Sequence, residues 1–93
     1  MTYKLRTDKK FDRAFKKLDR SVQMMLKDWI QKNLMDCEDP RRSGKALTGN
    51  LKNIWRYRIG NYRLLCKIDD GKFIIFALNV GHRKKYISRG KLA

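Results

Sequence analysis

A chain of 93 residues, 42% of them apolar, is long enough for one folded domain over residues 1–93 and too short for two. Its 24 Lys and Arg against 9 Asp and Glu leave a formal net charge of +15, a self-repulsion that weakens a small domain unless a polyanion offsets it. No apolar run approaches a membrane span, and residues 1–10 lack the apolar core of a secretory signal. Two cysteines and one histidine cannot close an ordinary zinc site. The expectation is a cytoplasmic protein, free of the membrane, that needs no metal or cofactor. Nucleic acid is the leading polyanion, because neutralising phosphates supplies most sequence-independent affinity. An anionic membrane would instead call for one long basic helix with a broad apolar face, and the basic residues here are spread along the whole chain.

Thr2–Arg6 can form a short edge strand, with Tyr3 and Leu5 on one face. Asp8 is a candidate N-cap for a helix whose stripe is Phe11, Ala14, Phe15 and Leu18, with Asp12 and Lys16 spaced for an i,i+4 ion pair. Asp19–Ser21 breaks the pattern. A second helix follows, with Val22, Met25, Leu26, Trp29 and Ile30 on its apolar face, so the pair predicts a helical hairpin. Met24 falls outside that stripe and is a candidate contact for a partner.

Asp36–Asn53 contains the only proline, Pro40, and predicts a basic loop. The period then changes to two. Ile54–Ile59 alternates, Gly60–Asn61 makes a two-residue hairpin turn, and Tyr62–Ile68 returns. Asp69–Gly71 turns the chain again into Lys72–Val80, apolar enough for the buried centre of a sheet. The predicted class is α+β, in the order β-α-α-β-β-β, with the helical hairpin packed on a small, mostly antiparallel sheet.

Alternation separates the residues of the hairpin. Trp55, Tyr57 and Ile59, with Tyr62, Leu64, Cys66 and Ile68, belong to the face the helices cover. Arg56, Arg58, Arg63 and Lys67 then project from the other face, where phosphates would relieve their mutual repulsion. Solvated strand positions in a basic chain are the plainer explanation. Cys66 is expected to be a small buried hydrophobe, and Trp55 and Tyr57 to be core. Beyond the long strand, Gly81-His82-Arg83-Lys84-Lys85-Tyr86 crowds groups able to hold phosphate, move protons and stack on a base.

Lys45-Ala46-Leu47-Thr48-Gly49, Ile54-Trp55-Arg56-Tyr57-Arg58-Ile59, Gly60-Asn61-Tyr62-Arg63-Leu64 and Asn79-Val80-Gly81-His82-Arg83 together resemble the RelE/ParE toxin superfamily, in order and spacing. The predicted element order is similar to that family's fold, so the resemblance spans nearly the whole chain. It implies a toxin of a type II toxin–antitoxin system. The RelE branch comprises ribosome-dependent, metal-free endoribonucleases that inhibit translation by cutting mRNA through 2′-hydroxyl attack. The implied partners are a cognate antitoxin, the ribosome and mRNA. Arg56 and Arg58 match two basic residues of the RelE active site, Arg63 its hairpin arginine, and Arg83 its C-terminal arginine.

The chain departs from RelE in having arginine, not lysine, at positions 56 and 58, and in the shorter spacing from Arg83 to Tyr86. Arginine stays charged and makes a poor general base. The catalytic set implied here is Arg58, Arg63, Arg83, His82 and Tyr86, with Lys52, Arg56, Lys67, Lys84 and Lys85 as RNA contacts. His82 is the side chain type that titrates nearest neutrality, which makes it a candidate base. By strict alternation it falls opposite Arg83 and is equally a structural histidine, with Lys52 and Tyr86 as alternative bases. Two other functions remain open: a ParE-type inhibitor of DNA gyrase and a non-catalytic basic RNA-binding protein.

Overall fold

The computed structural model describes residues 2–46 and 54–82. Strand β1 (Lys4–Arg6) runs parallel to β5 (Ile74–His82), which pairs antiparallel with β4 (Tyr62–Asp69). β4 pairs antiparallel with β3 (Ile54–Ile59), and β3 with a two-residue strand β2 (Lys45–Ala46), giving the sheet order β1-β5-β4-β3-β2. The expected α+β fold with a mostly antiparallel sheet is observed, with β2 in addition. β2 falls within the stretch expected to be loop, and two residues show no period. Its pairing of Lys45 with Arg56 and Ala46 with Trp55 recruits it. Gly44 leads into it so closely that an added Cβ would stand 2.5 Å from the Arg56 carbonyl oxygen.

Asp8 caps α1 (Lys9–Lys16) as the sequence suggests, its Oδ1 accepting from the Phe11 N–H at 2.8 Å. The break falls at Lys17–Asp19, and Gln23 Nε2 donates to the Leu18 carbonyl at 2.8 Å, closing the end of α1 against the start of α2 (Arg20–Asn33). Two local expectations fail. Asp12 and Lys16 make no ion pair. The pair observed on a helix is Asp28–Lys32 at 3.1 Å, exposed and of little energetic weight. Met25 is not core but 40% exposed, lying beside the Gly60 turn. Leu34 takes the buried place instead, because its N–H continues the helical pattern to Ile30 and extends the stripe Leu26, Ile30, Leu34 by one turn.

The core is the helix-facing side of the sheet. Tyr57, Leu64, Cys66 and Ile75 are fully buried there against Leu26, Leu34 and Phe11. Gly60 has a φ of +61, as the hairpin turn requires. The next turn is longer than expected: Phe73 also has a positive φ, and β5 begins at Ile74, not Lys72. β5 contains a bulge between the partners of Leu65 and Cys66, so Leu65 faces Asn79 while Cys66 faces Ala77. The extra residue reverses the alternation, and Val80 joins Ile75 and Ala77 on the core face.

Hydrogen bonds fasten the 36–44 segment to one end of the sheet. The Tyr57 hydroxyl donates to the Pro40 carbonyl, and Trp55 Nε1 donates to the Arg41 carbonyl at 3.2 Å. Arg41 grips both carboxylate oxygens of Asp70 at 2.9 and 2.8 Å, and the Tyr3 hydroxyl donates to the same carboxylate at 2.6 Å. Among the described residues no helix is long and apolar enough to cross a membrane.

Candidate nucleic-acid interface

The face away from the helices is built in cross-strand rows. One row is Arg58, Arg63 and Gly81. The next is Lys45, Arg56, Leu65 and Asn79. The third is Ile54, Lys67, Phe76 and Arg6. Arg56, Arg58, Arg63 and Lys67 therefore do share one face. Arg58 stands directly opposite Arg63, and Lys45 opposite Arg56. Like charges directly opposed across strands destabilise a sheet. No ion pair among the described residues involves Arg56, Arg58 or Lys67. Arg56 Nε is buried without a hydrogen-bond partner, a donor that an anionic oxygen would satisfy.

An open groove of about 640 Å³ adjoins these rows. One wall is α1 and its C-cap, with Lys10, Arg13 and Lys17. The other is Arg63, Asn79, Gly81 and His82 at the paired ends of β4 and β5. The space beside Gly81 is open, since a Cβ added there would meet nothing within 4 Å. The bulge in β5 turns Asn79 towards the arginine face, and Asn79 Oδ1 accepts the Val80 N–H at 2.8 Å. Because that partner is a donor, the acceptor must be the amide oxygen, which leaves the two N–H donors of Asn79 to the groove. No site role was assigned to Asn79 or to the α1 cations from the sequence. The available signal was one amide inside an otherwise apolar strand.

His82 pairs with Tyr62, on the side opposite the arginine rows, and its ring lies edge-to-face on Tyr62 with centroids 5.1 Å apart. It is half-buried and lines the groove from the strand end. Lys52, Arg83, Lys84, Lys85 and Tyr86 lie outside the described residues.

Electrostatics divide the sheet in two. At the fastened end, hydrogen bonds from Arg41 and Tyr3 hold the Asp70 carboxyl at about 2. Burial pushes the Tyr57 phenol upward and the Cys66 thiol to about 12, so Cys66 is the inert hydrophobe expected. Among the described residues no cluster of His, Cys, Asp and Glu could hold a metal ion. The arrangement at the other end can bind and polarise a phosphodiester with fixed guanidinium groups.

A family model described as the ParE toxin of a type II toxin–antitoxin system, parDE, matches residues 5–86. No curated protein sequence matches the chain. Among solved structures, the toxin–antitoxin complex RelBE2 of Mycobacterium tuberculosis is similar at 30% identity and a TM-score of 0.79, over 89% of this chain and 93% of that one. The intact RelBE complex of E. coli is similar at 27% identity and a TM-score of 0.72, over 86% and 95% of the two chains. The isolated E. coli RelE toxin is similar at 26% identity and a TM-score of 0.71, over 97% of each. The family match over most of the chain and the shared fold agree, and the chain belongs to the RelE/ParE superfamily as a toxin of a type II toxin–antitoxin system.

Proposed function

We propose that this toxin is a RelE-type endoribonuclease that cuts mRNA on the ribosome in the cytoplasm and thereby stops translation. The supporting observation is the row in which Arg58 and Arg63 oppose each other beside the side-chain-free Gly81. A phosphodiester held there faces two fixed cations. The ribose 2′-oxygen attacks its own phosphorus, the bond to the 5′-oxygen breaks, and the products are a 2′,3′-cyclic phosphate and a 5′-hydroxyl. Extra negative charge builds on the phosphoryl oxygens, and pre-placed arginines stabilise it with little reorganisation. The attacking hydroxyl loses a proton and the leaving oxygen gains one. His82, at the groove rim, with Tyr86 and Lys52, supplies the candidates for these transfers, while Arg83, Lys84 and Lys85 add positive charge for RNA. An antitoxin, acidic where it meets the arginine face, is the proposed inhibitor; similar chains occur in complexes with RelB-type antitoxins.

The test is incubation of pure protein with translating ribosomes and mapping of the cut ends. Codon-registered cuts bearing cyclic phosphates are expected. Intact mRNA together with loss of gyrase supercoiling would replace this reading with a ParE-type one, which the ParE family match favours.

A further inference from the structure

Among the described residues, Phe76 is the one aromatic among the large apolar side chains left exposed, at 38%, and it is not part of the core cluster. A lone exposed apolar residue is ordinary in itself. Its neighbours are not. Register places Arg6 of β1 directly on one side of it and Lys67 of β4 directly on the other, all on the arginine face. β1 ends at Arg6, so beyond Phe76 no described strand covers the outer edge of β5. A hollow of about 400 Å³ opens there, walled by Phe76, Thr7, Asp8, Lys67, Asp69 and Leu78. Both acids are engaged locally: Asp8 accepts the Phe11 N–H, and Asp69 accepts the Lys72 N–H at 3.2 Å.

We propose that Phe76 is a stacking platform for a base of single-stranded RNA, with Arg6 and Lys67 taking the phosphates on either side. An aromatic ring offers its face to any base, and flanking cations track the backbone; this pairing is how single strands are held without sequence preference. The platform is continuous with the candidate cutting site. From Lys67 to Arg63 is four residue steps along β4, about 14 Å at the rise of a strand, within the span of a few nucleotides. An apolar protein helix fits the surface less well, because each row of this face contains a cation and interrupts any contiguous apolar patch. The inference rests on the RNA-directed reading above and assigns a second contact point on the same strand.

The experiment is equilibrium binding of a short fluorescent single-stranded RNA, and of the same strand with abasic sugars, to the full chain and its variants, with thermal unfolding as the fold control. Phe76→Ala is expected to weaken binding of the intact strand roughly 5- to 150-fold. It should leave the slope of affinity against salt unchanged, since no phosphate contact is removed. Phe76→Leu keeps an apolar side chain and should lose nearly as much, Phe76→Trp should bind at least as tightly as the parent, and the abasic strand should not distinguish any of them. The proposal is overturned if the parent does not bind single-stranded RNA, if Phe76→Leu equals the parent, or if Phe76→Ala weakens both strands equally. It is also overturned if Phe76→Ala spares RNA and weakens only an acidic peptide, which would make the surface a protein site. A parent that binds RNA through Phe76 yet cuts no mRNA on ribosomes would sink the nuclease reading and leave the platform standing.

Discussion

Arg41 and Arg58 serve opposite ends of the same strand pair in opposite ways. Arg41 is paired by the fold. It holds Asp70 with two hydrogen bonds, lies over the Trp55 ring with its guanidinium carbon 5.7 Å from the centroid, and its carbonyl accepts from the Trp55 indole. Arg58 is exposed, faces Arg63 across the ladder, and makes no ion pair among the described residues. The same side chain chemistry fastens a loop at one end and raises the local potential at the other. A cation that the fold neutralises, as at Arg41, supports stability, and one that it leaves exposed and opposed, as at Arg58, is available to an anion.

The largest expected effect lies at the open end. Arg58→Ala and Arg63→Ala should each slow single-turnover mRNA cleavage by about 10²–10³, the typical loss for one donor to a developing oxyanion. The unfolding midpoint of Arg58→Ala should hold or rise, because that change relieves a like-charge pair. A variant that melts early and cuts normally would reverse the division between the two ends.

At the fastened end, Tyr57→Phe removes the hydroxyl that satisfies the Pro40 carbonyl and should cost about 1–3 kcal/mol in denaturant unfolding. Cleavage at temperatures well below the transition should be unchanged. A smaller effect separates binding from chemistry. If Arg56 contacts one phosphate of a single strand, Arg56→Ala should reduce the slope of log affinity against log salt by about 0.7. An unaltered slope would remove Arg56 from the RNA-binding surface.

The smallest effect concerns pH. Asp70 has a folded pKa lowered to about 2, so its contribution is fully present above the ordinary carboxylate range and disappears as pH falls through about 2. Asp70→Asn should therefore narrow the gap to the parent as acid unfolding is followed from pH 4 downward, with the two curves meeting near pH 2. A gap that is constant with pH would mean that shape, not charge, is what Asp70 supplies.

Much of the fold was legible because its signals are local. Asp8 before an apolar stripe predicts a capped helix, Gly60–Asn61 predicts a tight hairpin, and period-two alternation from Ile54 to Ile68 places Arg56, Arg58, Arg63 and Lys67 together. β2 was not legible, since Lys45 and Ala46 become a strand only by pairing with Arg56 and Trp55. Nor was the exchange of Met25 for Leu34, because which turn of a helix meets the sheet depends on how the helix is set down. The orientation of Asn79 was not legible for a related reason. Simple alternation from Ile75 puts it in the core, and a bulge that no local pattern announces turns it to the groove.

By itself the sequence determined most element types, the excess of positive charge and the sorting of residues between the two faces of β3 and β4, because helix and strand periods and turn chemistry act between near neighbours. Tertiary structure alone decided that β1 lies parallel beside β5, that Arg63 faces Gly81, that α1 contributes cations to a groove, and that Phe76 stands between Arg6 and Lys67. Those are matters of strand order, register and bulge. They are set by pairings between residues far apart in the chain, whose free energies no short window of sequence contains.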